Sequence, residues 1–538
     1  MKRLFFLLFI SVVLFSCGTS SSDYSNIFRY NEKDAGISTL DPIMANDMHH
    51  NWIFNMLYNG LVSLDDSLNV VPAIASSWEV NETGTEYVFH LRDDVFFHDH
   101  PMIPEVEGRK VKAIDFEESF KRIIKEKRGL STFTDRLKKS GDSNGIKAVD
   151  DYTLKISLES PFPPLLGVLA MQNYSVLPVD LVNKLGEDFR ANPIGTGPFK
   201  FAGWTEESRL VVIKNEAYFE KDEEGESLPY LDGVEVTFIK DPYSEYMNFK
   251  KGSYDMISGI EGAVRDQIID ENGKVKEKLS DQFVMDSRPF LNTEYLGFII
   301  DGKDNVYNNK YLRQAINYTI DRRNMIRFIK NGMGQAAENG FVPRGFADHN
   351  PDNIKGYKLD LDKARILLKA AGYPGGKGLP EVVMYTTPTY KELCEFMQYQ
   401  LKQIGVPVKV EVNSPLVTRE NVSNGKFKFF RKSWIADYPD PENYLSLFYS
   451  KFKAPSGSNY THFNSPVYDS LYLLSLNTLK AEDRKGLYEK MDQMIMDEAP
   501  VVPLFYDVSF RLYQKGISGL NNNPINLLDL RRTKKLVD

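Results

Sequence analysis

The run KSWIADYPDPENYLSLFY, Lys432 to Tyr449, places Trp434 three residues ahead of a carboxylate, Asp437. Asp437 opens a turn-rich stretch, Asp437-Tyr438-Pro439-Asp440-Pro441. Upstream, Phe427, Phe429 and Phe430 alternate with basic residues, as in a half-buried strand. Downstream, Tyr444, Leu445, Phe448 and Tyr449 form an aromatic, amphipathic segment. A carboxylate thus stands at the mouth of a strand, beside a large aromatic, where the chain turns. That is a seat for a small cation, with an ammonium group the obvious choice. Turn chemistry alone offers the simpler reading, a turn aspartate ahead of Tyr438-Pro439.

Working outward, 538 residues of which 42% are hydrophobic exceed one simple core, so two or three lobes are expected. The formal net charge is -8 with both signs dispersed. Phosphate neutralisation needs a clustered basic face, so nucleic-acid binding is disfavoured. An aromatic content of 12% argues against disorder and suits a large cavity between lobes.

The N-terminus reads as a signal peptide over residues 1–16. Lys2 and Arg3 supply a positive start, and Leu4 to Phe15 is apolar but shorter than the roughly 20 residues of a membrane-spanning helix. Leu14-Phe15-Ser16-Cys17-Gly18 looks like a bacterial lipobox, which makes Cys17 the lipidated first residue of the mature chain and residues 17–24 a tether. The simpler alternative is an ordinary cleaved signal with an incidental cysteine. Beyond Cys17 only Cys394 remains, so the mature chain has no intrachain disulfide. With Leu393, Phe396 and Met397 around it, Cys394 reads as a buried structural thiol.

Along the chain, helices are expected over Trp52–Leu61, Asp115–Lys127 with Asp115 as cap, Tyr311–Lys330, Leu361–Ala371, Tyr390–Ile404 and Arg484–Glu498. Strands are expected at Ile27–Tyr30, Tyr87–Leu91, Val95–Phe97, Val149–Leu158, Leu210–Lys214, Val234–Ile239, Lys426–Phe430 and Val501–Tyr506, the last returning the chain towards its start. Glu381–Tyr385, the Tyr390 helix and Val406–Val412 make a strand–helix–strand unit that favours a parallel pair. Gly195 and Gly197 lead into strand-like residues with no helix or lysine after them, which argues against a phosphate loop.

Five stretches carry a family resemblance: Pro72 to Asp99, Asn192 to Trp204, Leu312 to Ile326, Leu359 to Pro374 and Trp434 to Tyr449. Their order, spacing and content resemble the extracytoplasmic solute-binding proteins of family 5, the peptide receptors that feed ABC importers. The resemblance covers nearly all of the mature chain. It implies an α/β fold, a two-lobed periplasmic-binding-protein-like flytrap of type II, cluster C, with an additional inserted domain. Lobe I is then Ser25–Val62, Pro193–Gln282 and Ala499–Asp538, the inserted domain Ser63–Asn192, and lobe II Phe283–Glu498. It further implies that Asp437 binds the ligand ammonium and that Trp434 lies by a side-chain pocket. Ser433 and Ile435 offer main-chain groups, Arg431 meets a ligand carboxylate, and Asn46 to Met48 supply backbone from the facing lobe. The implied partners are a peptide, a permease with cytoplasmic ATPases, and the membrane through the lipid. The implied state is a monomer at the extracytoplasmic face of a bacterial envelope.

The sequence departs from the family pattern where Phe97-His98-Asp99-His100 runs into PMIPEVEGRKV, and where Leu296-Gly297-Phe298-Ile299 replaces a common motif. No counterpart of the dipeptide receptor's carboxylate-binding arginine lies near Thr386 to Tyr390. Competing readings are a metal chelate held by His98 and His100 or by His49 and His50, an oligosaccharide ligand, and a peptide sensor uncoupled from transport. No G-x-S-x-G, H-E-x-x-H or Walker loop is present, and Asp437 and Asp440 share one turn, which argues against catalysis; no cofactor is expected.

Overall fold

Two long strands, Phe283–Phe298 and Val501–Gln514, run antiparallel through the largest sheet and tie its two halves together. The computed structural model describes residues 26–32, 37–44, 48–139, 145–260 and 262–536. One half of the sheet holds Met256–Ser258, Ile27–Asn31, Gly233–Thr237, Arg209–Lys214 and Phe199–Thr205 in that order; the other holds Phe429–Ile435, Val382–Thr386 and Val408–Val412. The register of the long pair shifts between Pro289 and Thr293, so the ladder is interrupted where the halves meet. Val501–Gln514 does return the chain towards its start, since it pairs with Met256–Ser258, the neighbour of Ile27–Asn31. Boundaries at Phe283 and Ala499 fall at the ends of strands that belong to both halves.

A separate antiparallel sheet of Ala75–Val80, Glu86–Leu91, Thr153–Ser157 and Ile146–Asp150 lies between the first and second visits to the main sheet. Alternation along its strands buries Tyr87, Phe89 and Leu91, then Leu154 and Ile156. The helix Ala113–Lys125 buries Phe116, Phe120 and Ile123 on its inner stripe. Asp115 is not its cap: Lys112 is, and the Asp115 carboxylate reaches back from the first turn to accept the Lys112 N–H at 2.9 Å. The hairpin-like strand expected over Val149–Leu158 is the turn and second strand of a hairpin, in which Asp151 and Tyr152 turn the chain between Ile146–Asp150 and Thr153–Ser157. Val95–Phe97 makes one isolated bridge, Phe96 to Lys110, instead of a strand.

In the second half, Val382–Thr386 and Val408–Val412 pair in parallel around the helix Lys391–Lys402, as the strand–helix–strand pattern predicts. Cys394 sits buried on that helix, and burial pushes its thiol up to about 11. The long helix expected over Tyr311–Lys330 is two, Lys310–Thr319 and Arg322–Ile329. Asp321 breaks it by capping the second helix, accepting the Asn324 N–H at 3.0 Å. The break turns the buried Arg322 guanidinium back onto the Pro503 carbonyl at 2.6 Å. The helix that carries Trp52 covers Met48–Leu57, earlier than the expected Trp52–Leu61.

Candidate ligand-binding cleft

The strand Phe429–Ile435 extends further than its Phe-rich start implies and carries Arg431, Lys432, Ser433, Trp434 and Ile435. It pairs antiparallel with Phe283–Phe298 over seven positions, from Phe429↔Phe298 to Ile435↔Asn292. Ala436 N–H donates to the Leu291 carbonyl at 2.9 Å and Ile299 N–H to the Lys428 carbonyl at 2.9 Å. Hydrogen-bonded pairs alternate in an antiparallel ladder, so Phe430, Lys432 and Trp434 direct their backbone groups at this neighbour and Ser433 and Ile435 direct theirs away. On that outer side, Val382–Thr386 meets the strand at Tyr385↔Phe430 and then diverges. The backbone of Ser433 and Ile435 therefore faces a strand edge that no described strand pairs beyond Phe430.

Asn443 holds the turn beyond the strand. Its side-chain oxygen accepts the Trp434 indole N–H at 2.9 Å and the Asp437 backbone N–H at 3.2 Å, and its amide donates to the Asp437 carboxylate at 3.1 Å. Trp434 thus packs partly into the core and also orients the amide that positions Asp437. Among the described residues no basic side chain lies within ion-pair distance of Asp437; the residue is exposed to solvent, yet the protein packed beside it raises its carboxyl above the usual range, with Asn443 the opposing influence. Asp437 lines a narrow space of about 50 Å³ with Asn55, Asn59, Gln172 and Asn523, room for a small hydrated group. Polar amides face this space, and the one cation that lines it, Arg531, is already paired with Glu220 and Asp529.

A buried acid frame stands behind the turn, and sequence reading missed its role. Glu442 accepts the hydroxyls of Tyr438 and Tyr472, and burial pushes it up to about 7. Asp440 accepts the Glu442 N–H and the Tyr488 hydroxyl, each at 2.9 Å, and burial pushes it up to about 6. The available signal was acidic residues inside an aromatic amphipathic segment. Such residues must be hydrogen-bonded once the aromatics are buried. Gly167 of the separate sheet's unit abuts this turn, where an added Cβ would lie 3.2 Å from the Pro439 ring.

Towards the other end of the strand a cavity of about 810 Å³ opens between the halves, with Asn31, Trp52 and Tyr243 on one side and Lys330, Tyr390 and Asp507 on the other. Arg431 does not enter it as a free cation. Its guanidinium pairs with Glu294 and lies over the Tyr390 ring, and the two paired side chains are only 8% and 2% exposed. Lys330 is likewise closed by Asp507 at 3.2 Å. A ligand carboxylate approaching Arg431 meets a pair already formed, because the adjacent strand places Glu294 diagonally opposite.

Other expected groups lie elsewhere. Cys17 and Asn46 fall outside the described residues; Met48 begins the helix Met48–Leu57. On that helix Trp52 lines the large cavity and donates its indole N–H to the Asn526 carbonyl at 2.7 Å. His98 is buried against the Gly197 carbonyl at 2.9 Å, and the His100 ring accepts the Met102 N–H at 3.2 Å.

Residues 69–456 match the family described as bacterial extracellular solute-binding proteins, family 5. The heme-binding protein A of Haemophilus influenzae is 25% identical, covering 94% of this chain and 91% of that protein. The dipeptide-binding protein of Escherichia coli is 26% identical, covering 87% of each. A periplasmic binding protein of Helicobacter pylori, DppA, solved in complex with the peptide STSA, superposes with a TM-score of 0.79 at 27% identity, covering 95% of this chain and 98% of that one. The two-domain α/β fold is shared with these structures. A family match spanning most of the chain, on a fold whose halves enclose a polar cleft, makes this protein a member of the bacterial extracellular solute-binding proteins, family 5.

Proposed function

We propose that this protein captures peptides outside the cytoplasm and delivers them to a membrane permease driven by cytoplasmic ATPases. The observation that carries the reading is Asp437, a solvent-accessible carboxylate oriented by Asn443 and without an ion-pair partner among the described residues, at the end of a strand whose outer edge is open. Peptide backbone adds to that edge through Ser433 and Ile435, which requires no particular side chains. The ligand ammonium completes Asp437 through charge-assisted hydrogen bonds, each about twice as strong as a neutral one. The peptide seen in the Helicobacter pylori structure and the dipeptide-binding relative support a peptide over other solutes.

Closure of the halves, with Pro289 to Thr293 as hinge, removes water and strengthens the Asp437–ammonium attraction. Closing empty strands the carboxylate in a dry site, which costs several kcal/mol. Occupancy and closure are thereby coupled, and the closed shape is what a permease recognises. Among the described residues no helix is long and apolar enough to cross a membrane; attachment is assigned to a lipid on Cys17 of a monomeric protein.

Calorimetric titration of the delipidated protein with alanine tri- to pentapeptides tests the reading. Free-amino peptides bind and their N-acetylated forms bind far more weakly. Equal binding of the two forms, or affinity confined to sugars or Ni²⁺, would rule it out.

A further inference from the structure

One cation near the open edge has an aromatic neighbour but no ion-pair partner among the described residues. Lys432 lies on the face of its strand that also carries Phe430 and Trp434, opposite to the face of Arg431. Its ammonium sits 4.1 Å from the centre of the Tyr460 ring. Among the described residues no carboxylate is within ion-pair distance of it, although it is only half-exposed. Partly buried lysines normally find an acid or reach out to solvent. Burial lowers this one to about 8, with Arg419 and Arg431 adding to the effect. Burial raises the Tyr460 hydroxyl above the usual tyrosine range, with the charge of Arg419 opposing and that of Asp437 adding to the effect. Arg419, on the helix Pro415–Ser423, is exposed and forms no ion pair among the described residues.

We propose that Lys432, braced by the Tyr460 ring and seconded by Arg419, is a carboxylate-recognising subsite on the wall of the ligand's path. The proposal rests on the peptide reading above and assigns to Lys432 the task that Arg431 cannot perform while paired with Glu294. The position follows from the ladder. A peptide added antiparallel to the open edge, with its ammonium at Asp437, begins opposite Trp434 or Ile435. Directly opposed residues share a face, so the third or fourth ligand residue lies opposite Lys432. A cation held in a half-buried, acid-free site prefers an anion there over a neutral group of the same shape. The carboxylate has two possible sources, the terminus of a tri- or tetrapeptide or an acidic side chain at that position of a longer one.

Calorimetry on matched pairs separates the sources and tests the site. One pair is trialanine or tetra-alanine against its C-terminal amide; the other is penta-alanine amide carrying Glu or Gln at the third or fourth position. The wild type favours the carboxylate member of at least one pair by about tenfold or more. Lys432→Met reduces that preference to within twofold, and Lys432→Arg, which keeps the charge, retains most of it. Equal affinity within every pair, or a preference that survives in Lys432→Met, overturns the subsite while leaving peptide binding standing. If no peptide binds the wild type at all, the peptide reading falls and the subsite falls with it.

Discussion

The two ends of one strand contrast in their electrostatics. At the Arg431 end, the cation is closed by Glu294 and covered by Tyr390, and the charges cancel without any ligand. At the Asp437 end, a more exposed carboxylate is bonded by a neutral amide and meets no cation at ion-pair distance among the described residues. Complete pairs hold structure, whereas an incomplete one leaves work for a ligand to do. The difference also orders the consequences of mutation: the Arg431 end should govern stability and the Asp437 end affinity.

The largest effect is expected from splitting the closed pair. Glu294→Gln or Arg431→Met leaves one buried charge unmatched and should cost about 3–5 kcal/mol in urea unfolding, whereas the double variant Glu294→Leu with Arg431→Met should recover most of it. If Arg431→Met instead left stability intact and weakened peptide binding, the contrast between the ends would collapse. Next comes the acid frame behind Asp437. Glu442 titrates at about 7 in the native state, above its ordinary range, so the folded protein holds the extra proton. Its destabilising contribution is absent below the ordinary glutamate range, grows as pH rises, and is complete above about 7, reaching about 3 kcal/mol. Wild type should therefore lose stability between pH 5 and pH 8, and Glu442→Gln should flatten that slope; parallel curves for the two would mean that Glu442 does not titrate there.

At the open end, Asp437→Ala should weaken free-amino peptides by at least about 30-fold, the lower range for truncating one member of a desolvated charge pair. The same variant should bind N-acetylated peptides as weakly as wild type does; a further large loss with the acetylated ligand would show that Asp437 acts on something other than the ammonium. Asp437→Asn should also stabilise the ligand-free protein at neutral pH. Its native carboxyl is raised, so this advantage fades as acid protonates the wild type. The smallest effect is expected at Asn443, where replacement by Ala disorients Asp437 and should cost roughly tenfold in affinity, about 1.4 kcal/mol.

Much of the fold could be read along the chain because it rests on local signals. Alternation identified the strands near Ile27 and Tyr87, and the stripe of Phe116, Phe120 and Ile123 identified a helix whose observed range is Ala113–Lys125. Errors arose where a polar residue had two local uses. Asp115 binds backwards from the first turn instead of capping, and Asp321 caps a second helix inside an apparently continuous apolar pattern. The strand through Trp434 was seen too short, since Arg431 to Ser433 look polar but lie in a ladder whose neighbour is remote in sequence.

The sequence by itself determined the kinds of element, the acidic turn after Trp434 and the family pattern, because backbone preference and hydrophobic period act over a few residues. Only the tertiary structure decided which charges meet. Arg431 finds Glu294 across 137 positions of chain, while Asp437 finds no cation and Lys432 no acid among the described residues. The physical reason is that a charge interacts through space and its environment is set by desolvation, neither of which follows the order of residues.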